Sequence, residues 1–147
     1  MRIVIVSNSF PLAPSTGTIA AFCVRAMALA LQRQGAEVCV LAPDRFGDKE
    51  EIHGIRVKWF SWSGWKSGPL IRLELWRPVG LLNAISLFRQ GRRAIRETCK
   101  EFEADFCLAA WALPSGYFAS HAKARQGVPF AVWCLGSDIH TWARKPL

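Results

Sequence analysis

The sequence predicts an α/β domain in which helices cover both faces of a mainly parallel, doubly wound sheet. Two observations support this prediction. Short runs such as Ile3–Val6 are β-branched and apolar throughout, which is typical of strands that are buried on both faces. These runs alternate with segments in which apolar residues recur at helical spacing, giving the order β-α-β-β-α-β-α-β, and such an order requires crossovers between parallel strands.

The first half of the chain accounts for β-α-β. Ile3–Val6 is the first strand, and a loop rich in turn-forming residues follows it. A helix is predicted from Thr18 to Gln34, with Gly35 placed to end it. Its apolar residues at helical spacing are Ile19, Phe22, Cys23, Ala26, Met27 and Ala30. The second buried strand is Val38–Ala42.

The second half accounts for β-α-β-α-β. We expect the polar segment Asp44–His53 to be a loop. The remaining strands are predicted at Gly54–Phe60, Phe106–Ala110 and Pro129–Cys134. The remaining helices are predicted at Leu81–Phe102 and at about Ser115–Gln126. On the longer helix the shared apolar face is Leu81, Ala84, Ile85, Phe88, Ile95, Cys99 and Phe102, and Gly91 falls near it, where it would let the helix approach the sheet.

Length and composition limit the class of protein. The 147 residues make one domain spanning positions 1–147, and 51% of them are hydrophobic, which is ample for a core. A net charge of +8 favours anionic partners, although a generally basic surface explains it equally well. The five cysteines lack metal or disulfide spacing and are expected to be reduced core residues of a cytoplasmic protein. The N-terminus does not resemble a signal peptide, and no segment is apolar enough to span a membrane.

Four loops should open at the carboxyl edge of such a sheet, where ligands of this architecture bind. They begin at Asn8, Asp44, Trp111 and Gly136. The first loop lacks a GxGxxG motif, but Gly17 would let an anion approach the start of the following helix. The alternative for Gly17 is a glycine needed only for tight entry into that helix.

The loops that begin at Trp111 and Gly136 contain the other candidate binding residues. Trp111 offers a flat apolar face of the kind that stacks on sugars, or else packs in the core. Pro114 and Gly116 flank Ser115, which is a good helix N-cap. Ser137 and Asp138 put a hydroxyl and a carboxylate at the edge of the cleft, although Asp138 could equally cap the segment that follows.

The segment from Ser61 to Pro78 is rich in tryptophan, glycine and basic residues. Exposed rings beside basic residues would suit an anionic membrane surface, and the residues concerned are Trp62, Trp65, Lys66 and Trp76. The alternative is a long loop that its own tryptophans pack against the sheet. No pair of histidines has metal spacing, and no metal site is predicted.

Four stretches together resemble the amino-terminal half of a GT-B glycosyltransferase of family 4. They are MRIVIVSNSFPLAPSTGT, LQRQGAEVCVLAPD, ADFCLAAWALPSGYFA and GVPFAVWCLGSDI, and the resemblance extends over nearly the whole chain. It implies a Rossmann-like domain that mainly binds the acceptor, while a carboxyl-terminal domain holds the nucleotide-sugar and transfer proceeds with retention. Where members often carry a histidine, this chain has Leu135 before the Gly-Ser-Asp turn and Ala110 before Trp111.

The resemblance also implies roles and partners. Asp138 is the candidate catalytic residue, and the candidate acceptor or substrate contacts are Gly17, Trp111, Pro114, Ser115, Gly116 and Ser137. The nucleotide-sugar is a co-substrate, no other cofactor is expected, and the acceptor is a glycan or a lipid-linked molecule. The paired glutamates and basic phosphate clamp of the family belong to the carboxyl-terminal domain, so we expect this chain alone to transfer no sugar. The expected location is the cytoplasm, with peripheral contact at the inner membrane face.

Two other functions remain open on the sequence alone. One is a stand-alone Rossmann-like module that binds a nucleotide or a similar anion, and the other is a domain that interacts with a membrane surface through the tryptophan-rich segment. Nucleic-acid binding is not expected, because the charge permits it but no recognition motif is present.

Overall fold

The computed structural model describes residues 1–11, 19–43, 51–64 and 76–136. Its strands are, in chain order, Arg2–Val6 (β1), Glu37–Pro43 (β2), Glu51–Ile52 (β3), Ile55–Phe60 (β4), Phe106–Ala110 (β5) and Phe130–Trp133 (β6). They form one six-stranded sheet in the order β3-β4-β2-β1-β5-β6. Every neighbouring pair is parallel except β3 with β4.

Within the described residues three α-helices cover the sheet, namely Ile19–Arg33 (α1), Pro78–Glu101 (α2) and Tyr117–Gln126 (α3). The apolar core is divided by the sheet into two clusters. Val24 and Ala28 of α1 belong to one cluster, whereas Leu87 of α2 and Phe118 of α3 belong to the other. Helices therefore lie on both faces, and the predicted doubly wound α/β sandwich with a mainly parallel sheet is confirmed.

The strand β3 is absent from the predicted elements. Glu51 and Ile52 fall inside a segment that its polar composition predicts to be a loop, but they pair with Arg56 and Ile55 of β4. A two-residue turn joins β3 to β4, and both of its residues have positive φ, at 53° for His53 and 75° for Gly54. Such a turn matches the twist of a hairpin, so a short edge strand forms without an apolar run.

The apolar residues that predicted α1 and α2 are only partly the buried ones. On α1, Ile19 is 85% exposed, and the buried side chains are Ala21, Val24 and Ala28. On α2, Leu81 and Ile85 are exposed, whereas Leu87 is buried and missing from the predicted face. Both helices carry apolar residues on more than one side, so helical spacing alone does not select the side that faces the sheet.

Gly91 allows a close approach between α2 and α3. A Cβ atom at this position would lie 2.2 Å from Cζ of Phe118, the largest of the fully buried side chains. The sequence predicts that Gly91 lets α2 approach the sheet, but the ring that occupies its space belongs to α3. Gly91 therefore sets the separation of the two helices on this face.

The sheet order creates a switch point at β1. This strand pairs with β2 on one side and with β5 on the other, so the connections that leave β1 and β5 diverge to opposite faces of the sheet. Loops that diverge at the carboxyl edge leave a crevice between them, which is where ligands bind in open α/β sheets.

Candidate functional site

Two hydrogen bonds join the loops on either side of the switch-point crevice, which we define as the space between the segment after β1 and the turn Ala112–Gly116 after β5. The Nδ2 atom of Asn8 donates to the backbone oxygen of Leu113 at 3.2 Å. The hydroxyl of Ser115 donates to Oδ1 of Asn8 at 2.8 Å. The nitrogen and the oxygen of the Asn8 amide therefore both bond across the crevice, and we call this pair of bonds the brace. The brace fixes the position of the turn Ala112–Gly116 relative to β1.

Ser115 serves this brace and does not cap α3. Its side chain is 1% exposed, and α3 begins at Tyr117 with no side-chain cap. The N-cap prediction for Ser115 is wrong, because its hydroxyl is already used by the Asn8 amide on the neighbouring strand's loop. A buried hydroxyl that lacked this partner would be costly, so the bond is a structural requirement of the crevice.

Trp111 packs in the core beside the crevice. Its side chain is 9% exposed and belongs to the apolar cluster on the α1 side, together with Phe10. Its backbone has φ of 76°, donates to the oxygen of Trp133 at 3.0 Å and accepts from the nitrogen of Gly116 at 3.1 Å. This burial fits the core-packing alternative better than sugar stacking, which needs an open ring face.

Pro114 and Gly116 shape the turn after β5. Pro114 is half-buried, and its carbonyl accepts the N–H of Tyr117. Gly116 is buried, and a Cβ atom there would lie 3.2 Å from Cγ2 of Val132 on β6. A side chain at Gly116 would thus push the turn away from β6, so the glycine permits the close packing of this loop on the sheet edge.

The structure brings two further residues to the crevice that the sequence analysis did not select. Asn8 holds the brace, and its position two residues after the end of the buried strand β1 was the available signal. Leu113 is 67% exposed although it is apolar, and its backbone oxygen bonds to Asn8. An exposed leucine fixed at the mouth of a crevice offers a nonpolar contact to whatever binds there.

Several predicted site residues lie outside the described residues. They are Gly17, Trp65, Lys66, Ser137 and Asp138. The two other tryptophans proposed for membrane contact differ from each other. Trp62 is 4% exposed and packs in the cluster under α2, which corrects the membrane prediction for this ring, whereas Trp76 is 79% exposed.

Three of the five thiols are buried. Within the described part of the chain, no group of three His, Cys, Asp or Glu residues could hold a metal ion. Cys39, Cys99 and Cys107 are buried as predicted, but Cys134 is exposed and Cys23 is half-buried. Burial raises the pKa of Cys39 to about 11, so this thiol stays protonated near neutral pH.

Comparisons with known proteins agree with this architecture. The model of a family described as glycosyl transferase 4-like domain matches residues 4–147. A search of curated protein sequences finds no match. Within the described residues, no helix is long and apolar enough to cross a membrane.

Two solved structures share the fold at low sequence identity. The C-terminal domain of a hydrogenase from Pyrococcus furiosus has a TM-score of 0.56 and 16% identity, over 90% of this chain and 89% of that one. A sucrose-phosphate synthase from Thermosynechococcus elongatus has a TM-score of 0.54 and 14% identity, over 89% of this chain. The chain spans 31% of that synthase. The two proteins are named for unrelated activities, so their likeness shows the fold alone.

Proposed function

The chain belongs to the glycosyl transferase 4-like domain family, and on this premise we propose that it is the acceptor-binding half of a retaining glycosyltransferase. The sugar would pass from a nucleotide-sugar to a glycan or lipid-linked acceptor. The observation that most supports this proposal is the braced crevice at the switch point, within a chain that the family model matches over residues 4–147. Ligands of open α/β sheets bind at such a point.

The described residues of the crevice would position an acceptor rather than react with it. The Asn8 amide and the Ser115 hydroxyl satisfy each other, so they hold the loop after β5 in place. Leu113 would then contact the acceptor through its exposed side chain. A rigid loop lowers the entropy cost of orienting the acceptor hydroxyl toward the donor.

Asp138 remains the proposed catalytic residue, and Gly17 and Ser137 remain proposed contacts. The carboxylate of Asp138 would accept a hydrogen bond from the reacting acceptor hydroxyl. The donor would be held by a second domain, as the resemblance to GT-B glycosyltransferases implies. For the same reason, we propose that this chain alone transfers no sugar.

The test uses the protein that contains this chain together with its donor-binding domain. Nucleotide release is followed with a panel of nucleotide-sugars and with glycan and lipid-linked acceptors. We expect Asp138→Asn to lower kcat by about 100-fold or more, the usual size of a general acid or base effect. Ser137→Ala serves as the matched control and should change KM more than kcat.

Three outcomes would contradict the proposal. One is normal turnover by Asp138→Asn, which would remove Asp138 from the mechanism. Another is product formed by the 147-residue chain by itself. The third is tight nucleotide binding by this chain without transfer in any longer form, which would favour the stand-alone anion-binding module instead.

A further inference from the structure

The outer face of α2 carries one continuous stripe of exposed and half-exposed side chains. Its members are Leu82, Ile85, Arg89, Arg92 and Arg96, spaced alternately by three and four residues. This spacing keeps them on one side of a helix. Leu87, Gly91 and Ile95 form the buried side that faces the core. The stripe is apolar in the first turns of α2 and basic in the turns that follow.

The apolar end of the stripe is unusually exposed. Leu82 is 64% exposed and Ile85 is 48% exposed, and the neighbouring exposed side chains are Trp76, Val79 and Leu81. Five large apolar residues within ten positions are therefore exposed, and we call these five residues the exposed patch. Contiguous exposed apolar surface on soluble domains marks interaction sites. Because α2 follows β4 along the chain, this end lies toward the edge of the sheet where the parallel strands end.

The basic end of the stripe opens into a groove between α2 and α3, which we call the arginine groove. Its volume is about 390 Å³, and its lining residues are Arg89, Gln90, Arg92, Arg93, Arg96, His121 and Arg125. Arg93 pairs with Glu97 at 2.7 Å. Among the residues that the structure describes, no carboxylate pairs with Arg89, Arg92, Arg96 or Arg125.

We propose that this face of α2 docks on an anionic lipid bilayer. The apolar first turns would enter the boundary between headgroups and acyl chains, and the arginine groove would bind lipid phosphates. Four guanidinium groups that have no carboxylate partner among the described residues complement a surface of phosphates. A soluble anion would account for the arginines alone, whereas a bilayer also accounts for the apolar residues that continue the same stripe.

The proposal rests on α2 and α3 alone, so it does not depend on the glycosyltransferase assignment. It also differs from the membrane contact predicted from the sequence. Of the residues in that prediction, Trp76 belongs to the exposed patch, whereas Trp62 is buried.

Vesicle co-sedimentation of the 147-residue chain tests the proposal, with vesicles of phosphatidylcholine alone or mixed with phosphatidylglycerol. Binding should require phosphatidylglycerol. Each arginine near an anionic surface changes the partition constant about fivefold, so Arg92→Gln/Arg96→Gln should lower it by about 30-fold. Leu82→Ser/Ile85→Ser should lower it by about tenfold through lost apolar burial.

The matched control is Arg25→Gln/Arg33→Gln, which removes two charges from α1 on the opposite face of the sheet. It should leave the partition constant unchanged within about twofold. Circular dichroism verifies that each variant is folded, and Leu82→Gln/Ile85→Gln provides a second apolar disruption that leaves the net charge unchanged.

Four results would overturn the proposal. The first is equal binding to neutral and anionic vesicles, and the second is an equal loss in the α1 control. In the third, the apolar variants bind normally and inorganic pyrophosphate displaces all binding, which would assign the groove to a soluble anion. In the fourth, the chain forms a dimer that the leucine-isoleucine variants disrupt and that does not bind vesicles, which would assign the patch to a second copy.

Discussion

In the switch-point crevice the polar side chains bond to one another, whereas in the arginine groove four arginines have no carboxylate partner within the described part of the chain. Asn8 and Ser115 use their donors and acceptors within the protein. Arg89, Arg92, Arg96 and Arg125 do not, among the described residues. The two regions can therefore contribute to ligand binding in different ways, one through its fixed shape and the other through its charge.

Where the polar groups bond to one another, the region contributes a fixed shape to ligand binding. Mutations there should change the free energy of unfolding more than the affinity for a ligand. Where charged side chains are unpartnered, they can bind a ligand directly. Mutations there should change the affinity for that ligand more than the free energy of unfolding. The three predictions below act on one region or the other.

The largest effect is expected at Gly91, which sets the spacing of the helices that form the arginine groove. Alanine favours a helix interior over glycine by about 1 kcal/mol. The new Cβ atom, however, would lie 2.2 Å from the buried ring of Phe118. We expect Gly91→Ala to lower the free energy of unfolding by about 2 kcal/mol, measured by denaturant titration.

Gln90→Ala, at the exposed neighbouring position, is the control and should stay within about 0.5 kcal/mol. Gly91→Ala/Phe118→Leu should cost less than the sum of its two single changes, because the shorter side chain yields space. Stabilisation by Gly91→Ala would show that the helices separate freely, and the groove would then have no fixed width.

A smaller effect is expected at the brace of the crevice. Asn8→Ala leaves the hydroxyl of Ser115 buried without its acceptor, and we expect a loss of about 1.5 kcal/mol in the free energy of unfolding. Ser115→Ala should cost about 1 kcal/mol, because the half-buried Asn8 amide can bond to water instead. The double variant should cost less than the sum of the two. Strict additivity in this cycle would mean that the bond contributes nothing to the crevice.

The smallest effect is a shift in the titration of His121 in the arginine groove. Burial and the nearby Arg92, Arg125 and Arg96 lower the pKa of His121 below its ordinary value of 6.5. Since the folded pKa is below that of the unfolded chain, protonation favours unfolding, and stability falls as the pH drops below 6.5.

Histidine NMR resonances measure this pKa directly. Arg92→Gln should raise the pKa of His121 toward its ordinary value, and anionic vesicles should raise it further because they neutralise the arginines. Arg25→Gln, on the other face of the sheet, should not change it. If neither Arg92→Gln nor anionic vesicles change the pKa of His121, the arginines of the groove do not affect its titration.

The buried strands were predictable because their residues are apolar on both faces. Val38–Ala42 was predicted and lies within β2, and Phe106–Ala110 matches β5. A strand of two residues has no such pattern, so β3 depends on the turn His53-Gly54, whose two positive φ angles favour a hairpin. Its detection would have required the turn chemistry rather than composition.

The sequence predicts which loops border the crevice, but not how these loops contact each other. Trp111, Pro114, Ser115 and Gly116 were selected because they follow a strand, but the contact between Ser115 and Asn8 depends on which strands are neighbours. The order β2-β1-β5 is a property of the sheet and not of any local pattern. The outer stripe of α2 is harder to predict for another reason, since helical spacing places its Ile85 on the predicted apolar face although that side chain is exposed.

The position of β1 between β2 and β5 also affects how the chain is made. Ile3 pairs with Val38 on one side and with Phe106 on the other. On a ribosome that adds about 5–20 residues per second, the second partner emerges roughly 5–20 seconds after the first strand. During that interval β1 has one open edge, so the early nascent chain presents β-strand surface that a chaperone or another chain can pair with. The arrival of β5 closes that edge, and the same event brings Ser115 within reach of Asn8.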